Sequence, residues 1–328
     1  MACSADHDHL YTLTGILENP PMNRLLAVIL LLAFTALRAH ADDYYLYFLA
    51  GQSNMDGYGL VNELPESLAG EVDGVFIFLG QIKNDGLPVT GTGTWTPLIP
   101  GLGAGSRTDA EAVTPSERFG PELTFAHHLR QLRPGEKIAI IKYAKGGSSL
   151  DVRRPPAGTW DPHDTRGTGE LRGVNQYDHA LATIANATHT HDIDGDGTPD
   201  TLIPAGIIWM QGETDGTTQE TANDYESNLA EIAELFRAAL RVDNLPFVIG
   251  RISDSRAGEG NGERVWPFGD EVRAAQERVA EGDPHAEIVT TTDDYGYSDP
   301  YHYDTEGYID LGIQFAEMIN KLRTKDGQ

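Results

Sequence analysis

The stretch Tyr44 to Gly59, YYLYFLAGQSNMDGYG, constrains this chain more than any other. It opens with an apolar, aromatic-rich run, Tyr44 to Leu49, of the length and composition of a buried strand. The run breaks at Ala50-Gly51-Gln52-Ser53-Asn54, small and turn-prone residues that can reverse the chain sharply. A serine on such a turn, at the C-terminal end of a parallel strand, is exposed where open α/β sheets place their active sites. Turn formation alone would account for Gly, Ser and Asn equally well. What favours chemistry is the far end of the chain, Asp299-Pro300-Tyr301-His302, an acid and a base at short spacing.

The rest of the chain alternates. Apolar runs at 74–79, 137–143, 203–210 and 246–252 read as strands, and 287–291 as a weaker one. Helical patterns start at Gly120-Pro121-Glu122, where Pro suits a first turn, and continue at 176–188, 221–240 and 270–280. Asp304 can cap a closing helix that runs to about Leu322. Residues 80–119 are rich in Gly, Pro and Thr without periodicity, and a loop of that length is expected to border a site. Alternating strands and helices imply an α/β fold: a three-layer α/β/α sandwich around a parallel central sheet. Polar clusters follow the strand ends at 51–55, 145–149 and 211–215, with a further one at 299–302, along one rim of such a sheet.

Residues 22–41, MNRLLAVILLLAFTALRAHA, have the charged start, apolar centre and Ala-His-Ala ending of a secretory signal peptide. Met22 is a natural start, so residues 1–21 read as an upstream extension. A mature chain from about Asp42, a single domain over 42–328, would be secreted or periplasmic. The one cysteine, Cys3, precedes that point, so the exported protein would hold no disulfide, which a core of this size tolerates. The net charge of −26 opposes nucleic acid or an anionic membrane as partner, since both reward Lys and Arg.

Serine needs a base at neutral pH, and the base needs a group that fixes its tautomer. Ser53, His302 and Asp299 can fill those roles, because Pro300 keeps Asp299 from helical geometry and lets its carboxylate reach the ring. Donors for a developing oxyanion could come from the Ser53 N–H, the Gly120 N–H and the Gln211 amide. Gly120 as a plain loop glycine and Gln211 as a polar strand end remain open. Glu213 and Glu122 can orient the loops around them, and Glu213 as a solvated carboxylate remains equally open. Met55 stands where a G-x-S-x-G elbow would have its second glycine, which counts against an ordinary α/β-hydrolase.

Five motifs occur in order: Gly51-Gln52-Ser53-Asn54-Met55, Phe119-Gly120-Pro121-Glu122, Lys145-Gly146-Gly147-Ser148-Ser149-Leu150, Trp209-Met210-Gln211-Gly212-Glu213 and Asp299-x-x-His302. Together they resemble the sialate O-acetylesterase-like branch of the SGNH hydrolases, which includes the sixth family of carbohydrate esterases and its acetylxylan esterases. The resemblance spans about Tyr44 to Leu322. It implies a flavodoxin-like sandwich and removal of acetyl groups from an acetylated carbohydrate. Ser53 would be the nucleophile, His302 the base and Asp299 its orienting acid. It implies Gly120 as the oxyanion glycine, Gln211 in place of the asparagine of many SGNH enzymes, and no cofactor for catalysis. Acetylxylan and O-acetyl sialic acid stay open as substrates, and so does a non-catalytic carbohydrate-binding protein on the same fold.

One motif lies outside this set. In HDIDGDGTPD, residues 191–200, Asp192, Asp194, Asp196 and Asp200 follow the first part of a calcium loop, with Gly197 at a turn position. Ile203 stands where the closing Glu would be, so a structural calcium site and a solvated acidic turn both remain. Trp95, Trp160 and Tyr301 are candidates for a sugar platform, although isolated tryptophans are as well explained by packing.

Overall fold

The computed structural model describes residues 41–154, 157–257, 263–325 and 327. The expected upstream extension and signal peptide lie outside them. Residues 41–328 form one compact unit. Its centre is a seven-stranded sheet of β1 (Asp43–Gly51), β2 (Val75–Leu79), β3 (Trp95–Pro97), β4 (Lys137–Ala144), β5 (Thr201–Met210), β6 (Phe247–Gly250) and β7 (Ala286–Val289). The strand order is β7-β6-β5-β1-β4-β2-β3. Six strands are parallel, as the alternation predicts. The edge strand β3 is antiparallel to β2, with Phe76 opposite Pro97 and Phe78 opposite Trp95. It lies inside the stretch expected to be loop. Pro97 lacks a backbone donor and is tolerated because an edge strand needs donors on one side only.

β1 lies between β4 and β5, with Gly51 opposite both Ala144 and Met210. The order of connection reverses on either side of β1. That makes its C-terminal end the crevice where doubly wound sheets bind ligands. Successive β1 side chains point to opposite faces. Tyr47 packs edge-on against Phe125 of α2 (Glu122–Leu132), and its hydroxyl accepts from Arg323 of α6 (Thr305–Lys325). Phe48 faces the other way, against Phe236 of α4 (Gln219–Leu240). Tyr177 of α3 (Gln176–His189) joins Phe236, so α3 and α4 cover one face and α2 and α6 the other. A fifth long helix, α5 (Gly269–Gly282), packs beside α4.

Helix ends follow the sequence closely. Asp304 accepts the Gly307 N–H at 2.8 Å and caps α6. Asn175 and Asp178 form a reciprocal capping box on α3, satisfying two donors that a helix start leaves unpaired. Pro121 falls just before the first helical residue rather than on it. Among the described residues no helix is long and apolar enough to cross a membrane.

Candidate active site

The turn after β1 is shaped by Gly51, at φ 148°. A Cβ there would lie 2.0 Å from the Met210 carbonyl oxygen, so only glycine lets β1 and β5 close up before the turn. Ser53 then opens a one-turn helix, α1 (Ser53–Asp56). The first N–H groups of such a turn have no acceptor within it. Ser53 is buried to 7 % exposure, and its hydroxyl makes no hydrogen bond among the described residues. Gly146, two residues after β4, faces it: a Cβ there would lie 3.5 Å from that of Ser53.

The acid and base meet as the sequence suggests. His302 Nδ1 lies 2.7 Å from Asp299 Oδ2, and Asp299 Oδ1 accepts the main-chain N–H groups of Tyr301 and His302 at 2.7 and 2.9 Å. Burial opposes ionisation of Asp299, but these hydrogen bonds and the imidazole beside it outweigh that and hold its carboxyl below the ordinary range. Nδ1 facing the carboxylate leaves Nε2 for a proton transfer. Tyr58 stacks on the His302 ring at 3.6 Å with an interplanar angle of 4°, and Arg118 lies 4.4 Å over Tyr58. The stack fixes the ring plane from a residue five positions after Ser53.

Asn54 ties the two halves together. Its Nδ2 donates to Glu213 Oε1 at 2.7 Å and to the Tyr301 carbonyl at 3.2 Å, and its Oδ1 accepts from Tyr308 of α6 at 2.6 Å. The residue after Ser53 thus holds the residue before His302. Glu213 is 1 % exposed, its Oε2 has no partner, and burial pushes its carboxyl up to about 7. Asn54, Tyr58 and Tyr308 were not singled out from sequence. Asn54 alone carried a signal, as a polar residue directly after Ser53.

The expected oxyanion donors are differently disposed. The Gly120 N–H donates to Glu122 Oε1 at 3.0 Å. The Gln211 amide is fully buried and donates to Asp215 Oδ2 at 2.6 Å and the Ser148 carbonyl at 3.1 Å. Both groups are committed to protein acceptors in this arrangement. Among the described residues the Ser53 and Gly146 N–H groups are not. A carboxylate buried within reach draws each of the two donors away, and that reach is set by the fold.

Glu122 serves a second partner. Its Oε2 lies 2.7 Å from Lys142 Nζ, and both side chains are 1 % exposed. Lys142 also donates to the carbonyls of Asp56 and Leu102 at 2.8 and 3.0 Å. A lone lysine inside the apolar run KIAIIKY was the signal for a buried pair. Beside it opens a cavity of about 460 Å³, lined by Asp56, Gln81, Ser106, Arg107 and Thr108 among others, so the 80–119 segment does border the rim. Burial raises the Asp56 carboxyl to about 6. Of the aromatic candidates, Trp160 is fully buried and donates to Ser148 Oγ at 2.8 Å, and Trp95 packs on Phe78. Both belong to the packing. Tyr301 is 51 % exposed.

Among the described residues two clusters of carboxylates could hold a metal: Asp42, Asp194 and Asp200, and Asp192, Asp194 and Asp196, each with oxygens within 4.8 Å of one another. Lys137 pairs with Asp42 and lies 3.9 Å from Asp194, so the first group already has a cation. Asp200 turns inward, accepting the N–H groups of Ile193 and Asp42 at 2.8 and 3.1 Å. It ties the loop to Asp42, just before β1, and groups with Asp42 and Asp194 rather than with Asp192 and Asp196.

A serine at the switch point of a doubly wound sheet, with an Asp–His pair on the same rim, is the arrangement of SGNH-type esterases. The chain belongs to the carbohydrate esterase family described as sialic acid-specific acetylesterases, whose family model matches residues 43–321. It is accordingly a carbohydrate O-acetylesterase. None of the curated proteins matches it. Among solved structures it is similar to a protein of Arabidopsis thaliana (17 % identity, 86 % of this chain and 99 % of that one, TM-score 0.57). It is also similar to a carbohydrate acetylesterase from Xanthomonas citri (17 % identity, 86 % and 57 %, TM-score 0.59). A third, NanS, has 16 % identity over 87 % and 99 % of the two chains, with a TM-score of 0.55. At these identities the likeness concerns the fold.

Proposed function

We propose that this chain is an exported serine esterase that releases acetate from O-acetylated polysaccharide or its oligosaccharides, with acetylated xylan as the leading substrate. The observation that carries the reading is the Asp299–His302 pair, held against the Ser53 turn through Asn54. Ser53 Oγ attacks the acetyl carbonyl carbon while His302 Nε2 takes its proton. The N–H groups of Ser53 and Gly146 receive the oxyanion, where sequence reasoning placed Ser53, Gly120 and Gln211. As the tetrahedral intermediate collapses, the imidazolium gives its proton to the sugar oxygen and leaves an acetyl-serine. Water, deprotonated by His302, then attacks that ester and frees acetate and Ser53. Asp299 stays ionised throughout and stabilises the imidazolium. Because apo hydrogen bonds at such sites are often long, the unbonded Ser53 hydroxyl is compatible with this role.

The charge of −26 supports a neutral glycan over an anionic sialate, which would approach against it. Export rests on residues 22–41. The same proposal includes a structural calcium ion at Asp192, Asp194 and Asp196. The functional test is an acetate-release screen over acetylated xylan, acetylated monosaccharides and O-acetyl sialic acid, with fluorophosphonate labelling of the intact chain. Acetate release from xylan with label on Ser53 is expected. Release from O-acetyl sialic acid alone would move the substrate, and label on another serine would overturn the assignment.

A further inference from the structure

The direction in which the leaving sugar departs follows from which faces of His302 are open. Nδ1 is turned to Asp299, so Nε2 returns the proton, and the sugar oxygen must come within about 2.6–3.2 Å of it. One face of the imidazole is closed by Tyr58, stacked in parallel at 3.6 Å. The ring is also flanked by Tyr301, whose ring lies edge-on, 6.2 Å from it at 72°.

Tyr301 is the most exposed of the large apolar side chains among the described residues. Its backbone, however, is held at both ends: the N–H by Asp299 and the carbonyl by Asn54. The carbonyl of the preceding Pro300 accepts from Ser255 at 3.0 Å. Its ring meets that of Trp266 at 5.7 Å and 45°, an angle at which neither covers the other's face fully. Trp266 is anchored in turn. Its N–H donates to Asp254 Oδ2 at 2.8 Å, and its Cβ sits against Gly216 and Gly269, at 3.3 and 3.1 Å from where their Cβ atoms would be. An exposed aromatic on a loose loop would be unremarkable. Two touching aromatics on fixed backbone, one of them beside His302, suit a ligand that is apolar on one side and polar on the other. A pyranose ring is such a body, with C–H groups on its faces and hydroxyls around its edge.

We propose that Tyr301 and Trp266 form the platform on which the acetylated sugar stacks, on the leaving-group side of His302. This rests on the esterase reading above and adds where the glycan lies. The test measures kcat/KM for two esters, acetylated xylotetraose and ethyl acetate, whose leaving group is too small to reach both rings. The ratio of the first to the second should fall about tenfold in Tyr301→Ala and in Trp266→Ala, mainly through KM, the scale of one aromatic contact. Tyr301→Phe, which keeps the ring, should hold the ratio within about twofold on the same reasoning. Thermal melts establish that each variant is folded, and the exposed position of Tyr301 makes its variants the decisive ones. A ratio unchanged in Tyr301→Ala, or lowered as much by Phe as by Ala, overturns the platform while leaving the esterase intact. A wild-type chain that cleaves ethyl acetate but neither acetylated xylotetraose nor O-acetyl sialic acid overturns the carbohydrate reading and the platform with it.

Discussion

Glu213→Gln should make the protein more stable at alkaline pH than the native chain, although it alters a buried residue beside the active site. The native carboxyl is raised from 4.5 to about 7 by burial, and the hydrogen bonds from Asn54 and from its own main-chain N–H do not offset that. Between those two values the folded protein keeps a proton that the unfolded chain has released. Stability therefore declines as pH rises through that window, with no penalty below 4.5 and the full penalty above 7. At about 1.36 kcal/mol per pH unit the interval amounts to about 3 kcal/mol. Glutamine retains an oxygen to accept from Asn54 and has no proton to lose. Urea unfolding at pH 4.5 and pH 8 should show the variant gaining about 3 kcal/mol on the native chain between the two. Asp56 and Asp215 titrate in both proteins and cancel in the comparison. A gap between variant and native chain that is the same at both pH values would refute the reasoning, as would one that moves in the opposite direction.

Three further outcomes are expected. Ser53→Ala should leave the fold intact by circular dichroism and remove acyl-enzyme formation, leaving a residual of about 10³–10⁴ over water at most; undiminished esterase activity would count decisively against Ser53. Lys142→Met strands the Glu122 carboxylate in the core and should cost about 3–5 kcal/mol in denaturant unfolding; a loss under about 1 kcal/mol, the scale of an exposed pair, would show that the pair is not buried in solution. If Asp192, Asp194 and Asp196 take calcium, the melting temperature rises with free calcium and falls with chelator; no change, with no metal by elemental analysis, leaves a hydrogen-bonded acidic turn.

The layers and most element positions were legible because they rest on local patterns. Apolar runs became strands, and helices α3 to α6 begin and end within about three residues of where periodicity places them, the usual margin for helix ends. The edge strand β3 was hidden because Trp95-Thr96-Pro97 has neither length nor alternation. In the site, Ser53, Asp299 and His302 could be proposed from residue type and spacing. The partners of Gly120 and Gln211 could not. The capturing carboxylates, Glu122 and Asp215, are close in sequence to their donors, but each is held in place by a group far along the chain, Lys142 and Ser149, that no local pattern pairs with it. Gly146 went unassigned for the same reason: its place opposite Ser53 follows from β4 lying beside β1, which no spacing reveals.

The amide of Asn54 has a consequence for the order of events during synthesis. It joins residues 247 positions apart at the Tyr301 carbonyl and 254 apart at Tyr308. The segment bearing Ser53 emerges among the first strands, while His302 and α6 arrive last. Chains fold from the N-terminus as they emerge, and contacts this distant in sequence form late. A nascent chain therefore carries Ser53 before His302 exists, and on the roles proposed above it hydrolyses nothing until α6 docks. On that proposal, the onset of esterase activity reports that the final helix has found its place.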